Sequence, residues 1–484
     1  MKEHFDVIVV GAGSSGGVLA ARLSENPDIS VLLLEAGPDF PNEMDLPPGF
    51  VTGGLHFANE PVFELDWGYE SEPLPSGRRM QLPRGRLVGG SSMTNGTVCV
   101  RGAPSDFERW QAQGASSWGW DAVRPAYEAV GEEIPIRRYA RSSWQPIQER
   151  FFEGFTTIGY REVEDLNAAD AWHGVIGATP INRHNTVRQG TLVTYIRKAR
   201  SRHNFGIRDR CLVDRLMLKG SRVAGVSYVD GQDAQRKVYA ACVVLSAGAY
   251  GTPGILIRSG IGPETHLREL GARPVVDLPV GVALNDHVVC SVELRAPELA
   301  DIRAPSAAVM ARDLDNRWFA VATTVDEAEG RCAIAFVLTG DCPDGSLTLS
   351  STDPTVPPRI EHRYNLGGFQ SAWETLALLL ETPSFRNTEP LFQEDELSQI
   401  VDSNANSAYH PVGTCPIGAV VSEDLHVHGI ENLFIADASV FPSQVSNNPN
   451  LSCYMMGERA AALVSKQLGA LGTGERTKKG VGRD

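Results

Sequence analysis

The chain has 484 residues, 42% of them hydrophobic and 21% charged, enough to bury a large core and to form two or three domains. A formal charge of -15 with no local lysine or arginine stripe would repel a phosphate backbone, so nucleic acid is not an expected partner. The eight cysteines (Cys99, Cys211, Cys242, Cys290, Cys332, Cys342, Cys415 and Cys453) stand far apart without a C-x-x-C pair. They argue against a metal site or a redox dithiol, and for reduced thiols in a cytoplasmic protein.

The first apolar run, "FDVIVV" (5 to 10), is β-branched and unbroken, the pattern of a strand buried on both faces. It is too short for a signal peptide, and no segment reaches the roughly eighteen apolar residues of a membrane span. "GAGSSG" (11 to 16) follows at once, and "GVLAARLSE" has helical spacing, with Val18, Ala21 and Arg22 one turn apart. "ISVLLLEAG" (29 to 37) reads as a second buried strand ending in Glu35, closing a βαβ unit.

Residues 38 to 77 are rich in Pro, Gly and aromatics without a period, and read as a long functional or covering excursion. "SDFERWQAQG" is a helix, 125 to 200 is helical and mixed, and "CLVDRLMLKGSRVAGVSYVDG" (211 to 231) is a hairpin. "RKVYAACVVLSAGAYGTPGIL" (236 to 256) reads as strand, glycine turn and helix start. The alternating runs "VVCSVEL", "RWFAVATTV", "CAIAFVL" and "GSLTLSS" between 288 and 365 indicate a separate antiparallel sheet. "GFQSAWETLALLLET" (368 to 382) is an amphipathic helix, and the last third returns to strand, turn and helix before a polar, Gly-rich tail expected to be flexible.

A lone G-x-G-x-x-G is a weak signal. Here it lies between a buried strand and a helix, with Glu35 at the end of the next strand, 19 residues past Gly16. Gly11 allows the sharp turn, Gly13 lets the backbone approach a pyrophosphate, and Gly16 permits close packing of helix on strand. The helix N-terminus offers free N–H groups and its positive dipole end to the phosphates, and Glu35 is placed to accept from an adenosine ribose.

Three more stretches stand in order beyond this unit: "RGRLVGGSSMTNGTVCVRG" from Arg84, "GAYGTPGILIRSGIG" (248 to 262), and "YHPVGTC" followed by "LFIADASVFPSQVSNNPN". With them the chain resembles the glucose-methanol-choline (GMC) oxidoreductases from residue 5 to about 468. The resemblance implies an α/β fold in which a Rossmann-like FAD-binding domain is interleaved with an α+β substrate-binding domain built on an antiparallel sheet. The expected boundaries are 1–150, 200–287 and 403–470 for the first, 151–199 and 288–402 for the second, and 471–484 for the tail.

FAD is the implied cofactor. Its expected contacts are Gly11, Gly13, Ser14, Ser15, Gly16, Glu35 and Ala36, then Arg86, Gly89, Gly90, Asn95, Gly96 and Val98, then Val213, Ala247 and Gly248, and finally Asp437, Ala438, Asn448 and Pro449. Among these, Val213 would meet the adenine through backbone atoms. Asn95 and Gly96 would lie by the isoalloxazine, and Asp437 with Ala438 by the ribityl chain and pyrophosphate. Thr94 stands where some members carry a histidine covalently bound to FAD, so the resemblance implies non-covalent FAD. Cys99 and Ala283 depart from the family pattern without touching the fold, and the short chain implies a reduced substrate domain.

Oxidising an alcohol requires the hydroxyl proton to leave as the C–H hydride passes to flavin N5, so a base must stand over the flavin. The resemblance gives that role to His410 and makes Asn448 its partner, able to hold the substrate oxygen through its amide. Asn448 before Pro449 also has the form of a helix N-cap with proline at the first helical position. A helix starting there would aim its positive end at the flavin N1/O2 edge and stabilise the anionic reduced ring. His287 reads as structural, and His426, His428, His362, His203 and His56 carry no motif.

The expected reaction is oxidation of a small-molecule alcohol to the carbonyl, with oxygen or a respiratory, quinone-type component as acceptor. The alternatives are a hydroxynitrile-lyase reaction on the same fold, a non-enzymatic dinucleotide-binding protein, and a mycofactocin-associated dehydrogenase, which the chain is also similar to in length and simple form. The walls of the substrate pocket are expected from 38–77 and 290–400.

Overall fold

The computed structural model describes residues 4–52, 65–185, 187–301, 306–340, 345–364, 366–392 and 403–479. His56 and Cys342 lie outside these residues; the described cysteines are all free thiols. The unbroken apolar runs form the middle of a seven-stranded sheet. Its order is Phe205–Arg208, Val31–Leu34, His4–Val10, Gln235–Leu245, Arg222–Val229 and Leu212–Lys219, and Leu433–Ile435 also pairs with Gln235–Leu245. Its first four strands are parallel, and Arg222–Val229 and Leu212–Lys219 join as the expected antiparallel hairpin. The second strand stops at Leu34, so Glu35 is the first residue beyond the sheet.

Helix Ser14–Leu23 covers one face and is crossed by the final helix, Asn450–Lys479. The crossing is close because a Cβ on Gly457 would stand 2.5 Å from the Ser15 carbonyl oxygen. It is tied by Arg22, whose Nε donates to Glu458 at 2.8 Å. The final helix carries its hydrogen bonding through Lys479, so residues 471–479 are helical where a flexible tail was expected. Extending a helix already nucleated by packing costs little per residue.

The second sheet has eight strands, ordered Glu389–Pro390, Val288–Arg295, Arg331–Leu338, Trp318–Asp326, Val309–Arg312, Val175–Ala178 and Arg161–Val163, with Asn406–Ser407 also on Val288–Arg295. Its even-numbered central residues, Cys290, Trp318, Ala320, Ile334 and Phe336 among them, pack beneath helices Pro146–Thr157 and Gln370–Leu380. The odd-numbered residues of Val288–Arg295, Trp318–Asp326 and Arg331–Leu338 face the other way, as the two-residue strand period requires, whereas on Val309–Arg312 the parity is reversed and Met310 shares their face.

Three expectations are corrected. "GSLTLSS" forms a strand, Ser346–Thr348, that among the described residues pairs with Arg359–Glu361, apart from the large sheet. The helical segments Leu192–Ile196 and Arg197–Ala199 belong to the first core, not the second unit, because Leu192, Tyr195, Ile196 and Ala199 turn an apolar stripe onto helix Ser14–Leu23. The boundary at 150 cuts helix Pro146–Thr157, whose Ile147, Phe151 and Phe155 all lie in the second core.

Candidate active site

A cavity of about 910 Å³ is lined by both sheets. On its first wall Gly11 sits at φ +98°, and a Cβ there would lie 2.4 Å from the Ser246 carbonyl oxygen, so the turn requires glycine. A Cβ on Gly13 would meet nothing within 4 Å and would project into the cradle at the start of helix Ser14–Leu23. The N-termini of that helix, of Gly248–Arg258 and of Asn450–Lys479 all reach the cavity, so their positive dipole ends converge on it.

Of the expected cofactor residues, Gly11, Gly13, Ser14, Ser15, Glu35, Ala36, Arg86, Gly90, Asn95, Gly96, Val98, Val213, Ala247, Gly248, Asp437, Ala438, Asn448 and Pro449 line this one cavity. Gly16 does not, because a Cβ there would lie 2.0 Å from the Gly11 carbonyl oxygen; it serves helix-on-strand packing, as expected. Gly89 does not either. It holds φ +101° and donates its N–H to the Ala12 carbonyl at 2.9 Å, so it shapes the turn behind the wall.

The Glu35 carboxylate accepts from the Ala12 N–H at 2.9 Å and the Gly37 N–H at 3.0 Å. Burial lifts it to about 7, with those N–H groups, that of Ala36 and the Arg86 charge pulling the other way. Asp437 accepts from the N–H groups of Gly248 and Ser439 and from the Thr252 hydroxyl, which orders the start of helix Gly248–Arg258. Asn95 offers its Oδ1 to the Thr97 N–H and the buried Arg188 guanidinium, both at its rear.

Ser15 Oγ, Arg86 Nε, and Nε and Nη2 of Arg84 are buried without a hydrogen-bond partner among the described residues. Orphaned donors, a glycine cradle and converging helix ends suit a dianionic dinucleotide, so the residues present fit FAD.

At the reacting end Nδ2 of Asn448 is 3.0 Å from Nε2 of His410, and Nδ1 of His410 is 3.0 Å from Nδ1 of His287. An amide nitrogen only donates, so His410 Nε2 carries a lone pair; its Nδ1 then donates to His287, whose own proton sits on Nε2. Asp286 holds the backbone of His410 by accepting from its N–H at 2.8 Å, and its other oxygen takes the hydroxyls of Ser407 and Tyr364. Gln444 donates to the His410 carbonyl at 2.6 Å, and Tyr409 before it is held at φ +65°.

Burial, the neighbouring His287 and the Arg84 charge hold His410 well below the usual histidine range. Burial and the Arg109 charge bring His287 down to about 3, against a backbone contact with Val445. Both rings are therefore neutral at ordinary pH, and His410 needs no prior deprotonation to act as a base.

Two expectations change here. Asn448 does not cap the final helix. The Pro449 carbonyl accepts the first helical bond, from the Cys453 N–H at 2.9 Å, and the Asn448 amide turns to His410 instead. His287 is not a remote structural residue, since its ring meets that of His410 edge to face with centroids 5.1 Å apart. Sequence reasoning also missed Arg84, the first residue of a stretch quoted for the resemblance, and Asp286, which directly precedes His287. Among the described residues no helix is long and apolar enough to cross a membrane.

The family model for GMC oxidoreductases matches residues 5–289, and its C-terminal counterpart matches 342–457. The chain is 29% identical to a GMC-type oxidoreductase of Rhodococcus erythropolis, over 96% of this chain and 98% of that one. It is also 29% identical to an oxygen-dependent choline dehydrogenase of Vibrio vulnificus, over 96% and 95%. Pyridoxine 4-oxidase from Mesorbium loti superposes with a TM-score of 0.87 at 26% identity, covering 95% of this chain and 98% of that one. With a family model spanning more than half its length, two sheets in the matching arrangement and a cavity that fits the cofactor, the chain belongs to the GMC oxidoreductase family and is an FAD-dependent oxidoreductase acting on CH–OH groups.

Proposed function

We propose that the protein oxidises an alcohol to its carbonyl, with His410 as base and Asn448 as the donor that holds the substrate oxygen. The observation that carries this reading is the 3.0 Å contact between Asn448 Nδ2 and His410 Nε2 on the cavity wall. A substrate hydroxyl entering there replaces the contact with two bonds, accepting from Asn448 Nδ2 and donating to His410 Nε2. Bound FAD supplies the two-electron acceptor for the C–H hydride. As the hydroxyl proton passes to Nε2, His410 becomes cationic, and its Nδ1–H bond to neutral His287 strengthens. The amide of Asn448 keeps the developing alkoxide oxygen in place.

The test is anaerobic addition of a panel of primary and secondary alcohols to the yellow protein, followed by absorbance. Bleaching by at least one alcohol supports the reading, and a colour that no alcohol bleaches refutes it. Timing the return of colour on admitting air then separates oxygen from a respiratory acceptor. FAD is held without a covalent bond in this reading, since the Thr94 hydroxyl at the covalent position faces the Ser91 carbonyl, 3.4 Å away.

Glu35 makes FAD binding depend on pH. A ribose hydroxyl donating to this carboxylate stabilises its ionised form, whereas burial keeps it protonated below about 7. The affinity of the apoprotein for FAD is therefore expected to fall as pH drops below about 7, approaching tenfold per unit. Glu35→Gln should bind more weakly at high pH and lose this dependence. Fluorescence titration of FAD into apoprotein across that window measures both.

A further inference from the structure

The second wall of the cavity is the face of the eight-stranded sheet turned away from helices Pro146–Thr157 and Gln370–Leu380, and its residues stand in register. Val289, Val337 and Phe319 form one row across three adjacent strands, and Ser291, Ala335 and Val321 form the next. All six line the cavity, and Met310 extends the second row beyond Val321. The Ser291 hydroxyl is the only hydrogen-bonding side-chain group in the two rows. Such a surface gains from covering apolar groups and loses from desolvating polar ones.

Charge in the cavity lies elsewhere. Among the described lining residues the only carboxylates are Glu35 and Asp437, both on the cofactor wall and both taken up by backbone N–H groups. The Arg84 guanidinium, whose Nε and Nη2 lack a partner among the described residues, lies over the Tyr250 ring, 5.8 Å from its centroid, and not in the sheet rows. A cationic substrate would find no partner on the sheet and a like charge opposite. Among the described residues the sheet assembles no aromatic box for an ammonium group either. Phe319 is the one ring in the rows, while Trp67 carries the Arg86 guanidinium 5.3 Å from its centroid and stacks on Tyr69.

We infer that the substrate is an uncharged alcohol with an apolar body, its CH–OH end at His410 and Asn448 and its hydrocarbon or aromatic part lying along the Val289–Val337–Phe319 and Ser291–Ala335–Val321 rows. This rests on the alcohol-oxidising reading above and names the substrate class for that site. Ser291 gives room for one polar substituent, such as a ring hydroxyl, where the body crosses the second row.

Matched pairs that differ only in charge test it. Choline and 3,3-dimethylbutan-1-ol have the same shape, as do 4-(hydroxymethyl)benzoate and 4-isopropylbenzyl alcohol to a first approximation. Anaerobic reduction rates of the holoenzyme should give kcat/KM values on the order of 100-fold higher for the neutral member of each pair, because the charged group, lying along the sheet, is buried where that wall gives it no partner. Calorimetric titration with the neutral and charged carbonyl products should order the affinities in the same way. Ser291→Asp should narrow the choline gap at least tenfold by placing a carboxylate in the second row, and should worsen the benzoate gap. Equal or higher efficiency for choline, or for the benzoate, overturns the inference while leaving alcohol oxidation intact. Failure of every alcohol, charged or neutral, would strike the underlying reading instead. Should Ser291→Asp not fold, Phe319→Ala serves, with selectivity expected to move toward bulkier neutral alcohols; an unchanged neutral-substrate ranking would count against the sheet as the binding wall.

Discussion

His410→Ala is expected to slow anaerobic flavin reduction by about 10²–10⁴-fold, the span a positioned general base contributes, while the FAD content of the purified protein stays that of the wild type. The separation follows from where the residue sits. The hydrogen bonds of His410 run to His287, Asn448, Asp286 and Gln444, and those of Glu35 and Asp437 to other groups, so its loss leaves the proposed anchoring of the cofactor in place. Asn448→Ala removes one oxygen donor but leaves the base, and should cost less. The pH profile is a second reading of the same assignment. Burial, His287 and Arg84 depress the protonation of His410, so kcat/KM should stay level as pH falls through about 6.5, the ordinary histidine value, and decline only in more acid solution. A variant that reduces at the wild-type rate, or a wild-type acid limb centred near the ordinary value, would remove His410 from this role.

Local pattern carried much of the fold. The run from Phe5 to Val10 and the turn after it need only neighbouring residues to be understood, and the hairpin and Gly248 helix start were legible for the same reason. Strands of three or four residues, such as Arg161–Val163, Val175–Ala178 and Val309–Arg312, are too short to show a period and were not visible. "GSLTLSS" shows the converse limit, since alternation identifies a strand but not the sheet it joins. In the site, His410 and Asn448 were reached through a resemblance. His287 was dismissed because the contact that defines it spans 123 residues of sequence. The sheet face opposite them could be seen as alternation, but not as two rows in register, because register is set by pairing between distant strands.

His287 carries the second large expected effect. Among the described residues Nδ1 of His410 has one partner, Nδ1 of His287. Without that acceptor His410 is free to take the other tautomer, with its proton on Nε2 and no lone pair for the substrate. His287→Leu is therefore expected to lower the rate of flavin reduction by about 100-fold, as when a base loses the group that fixes its tautomer. His287→Asn, whose amide oxygen can accept the same hydrogen bond, should recover part of it; loss of packing alone would not rank the two this way. The same residue makes the fold acid-sensitive. Its protonation is depressed to about 3 by burial, against about 6.5 in the unfolded chain, so the unfolded state binds the extra proton. Its contribution to stability is complete above about 6.5 and is lost as pH falls toward 3, by about 1.4 kcal/mol per unit for the one site. Denaturant unfolding of His287→Asn should accordingly show a shallower loss of stability across that window than the wild type. His410, depressed by the same burial, keeps part of the slope in the variant, so the expected result is a reduction and not an abolition. A wild-type rate in His287→Leu would sink the tautomer role, and an unchanged acid slope in His287→Asn would sink the buried neutral state on which that role depends.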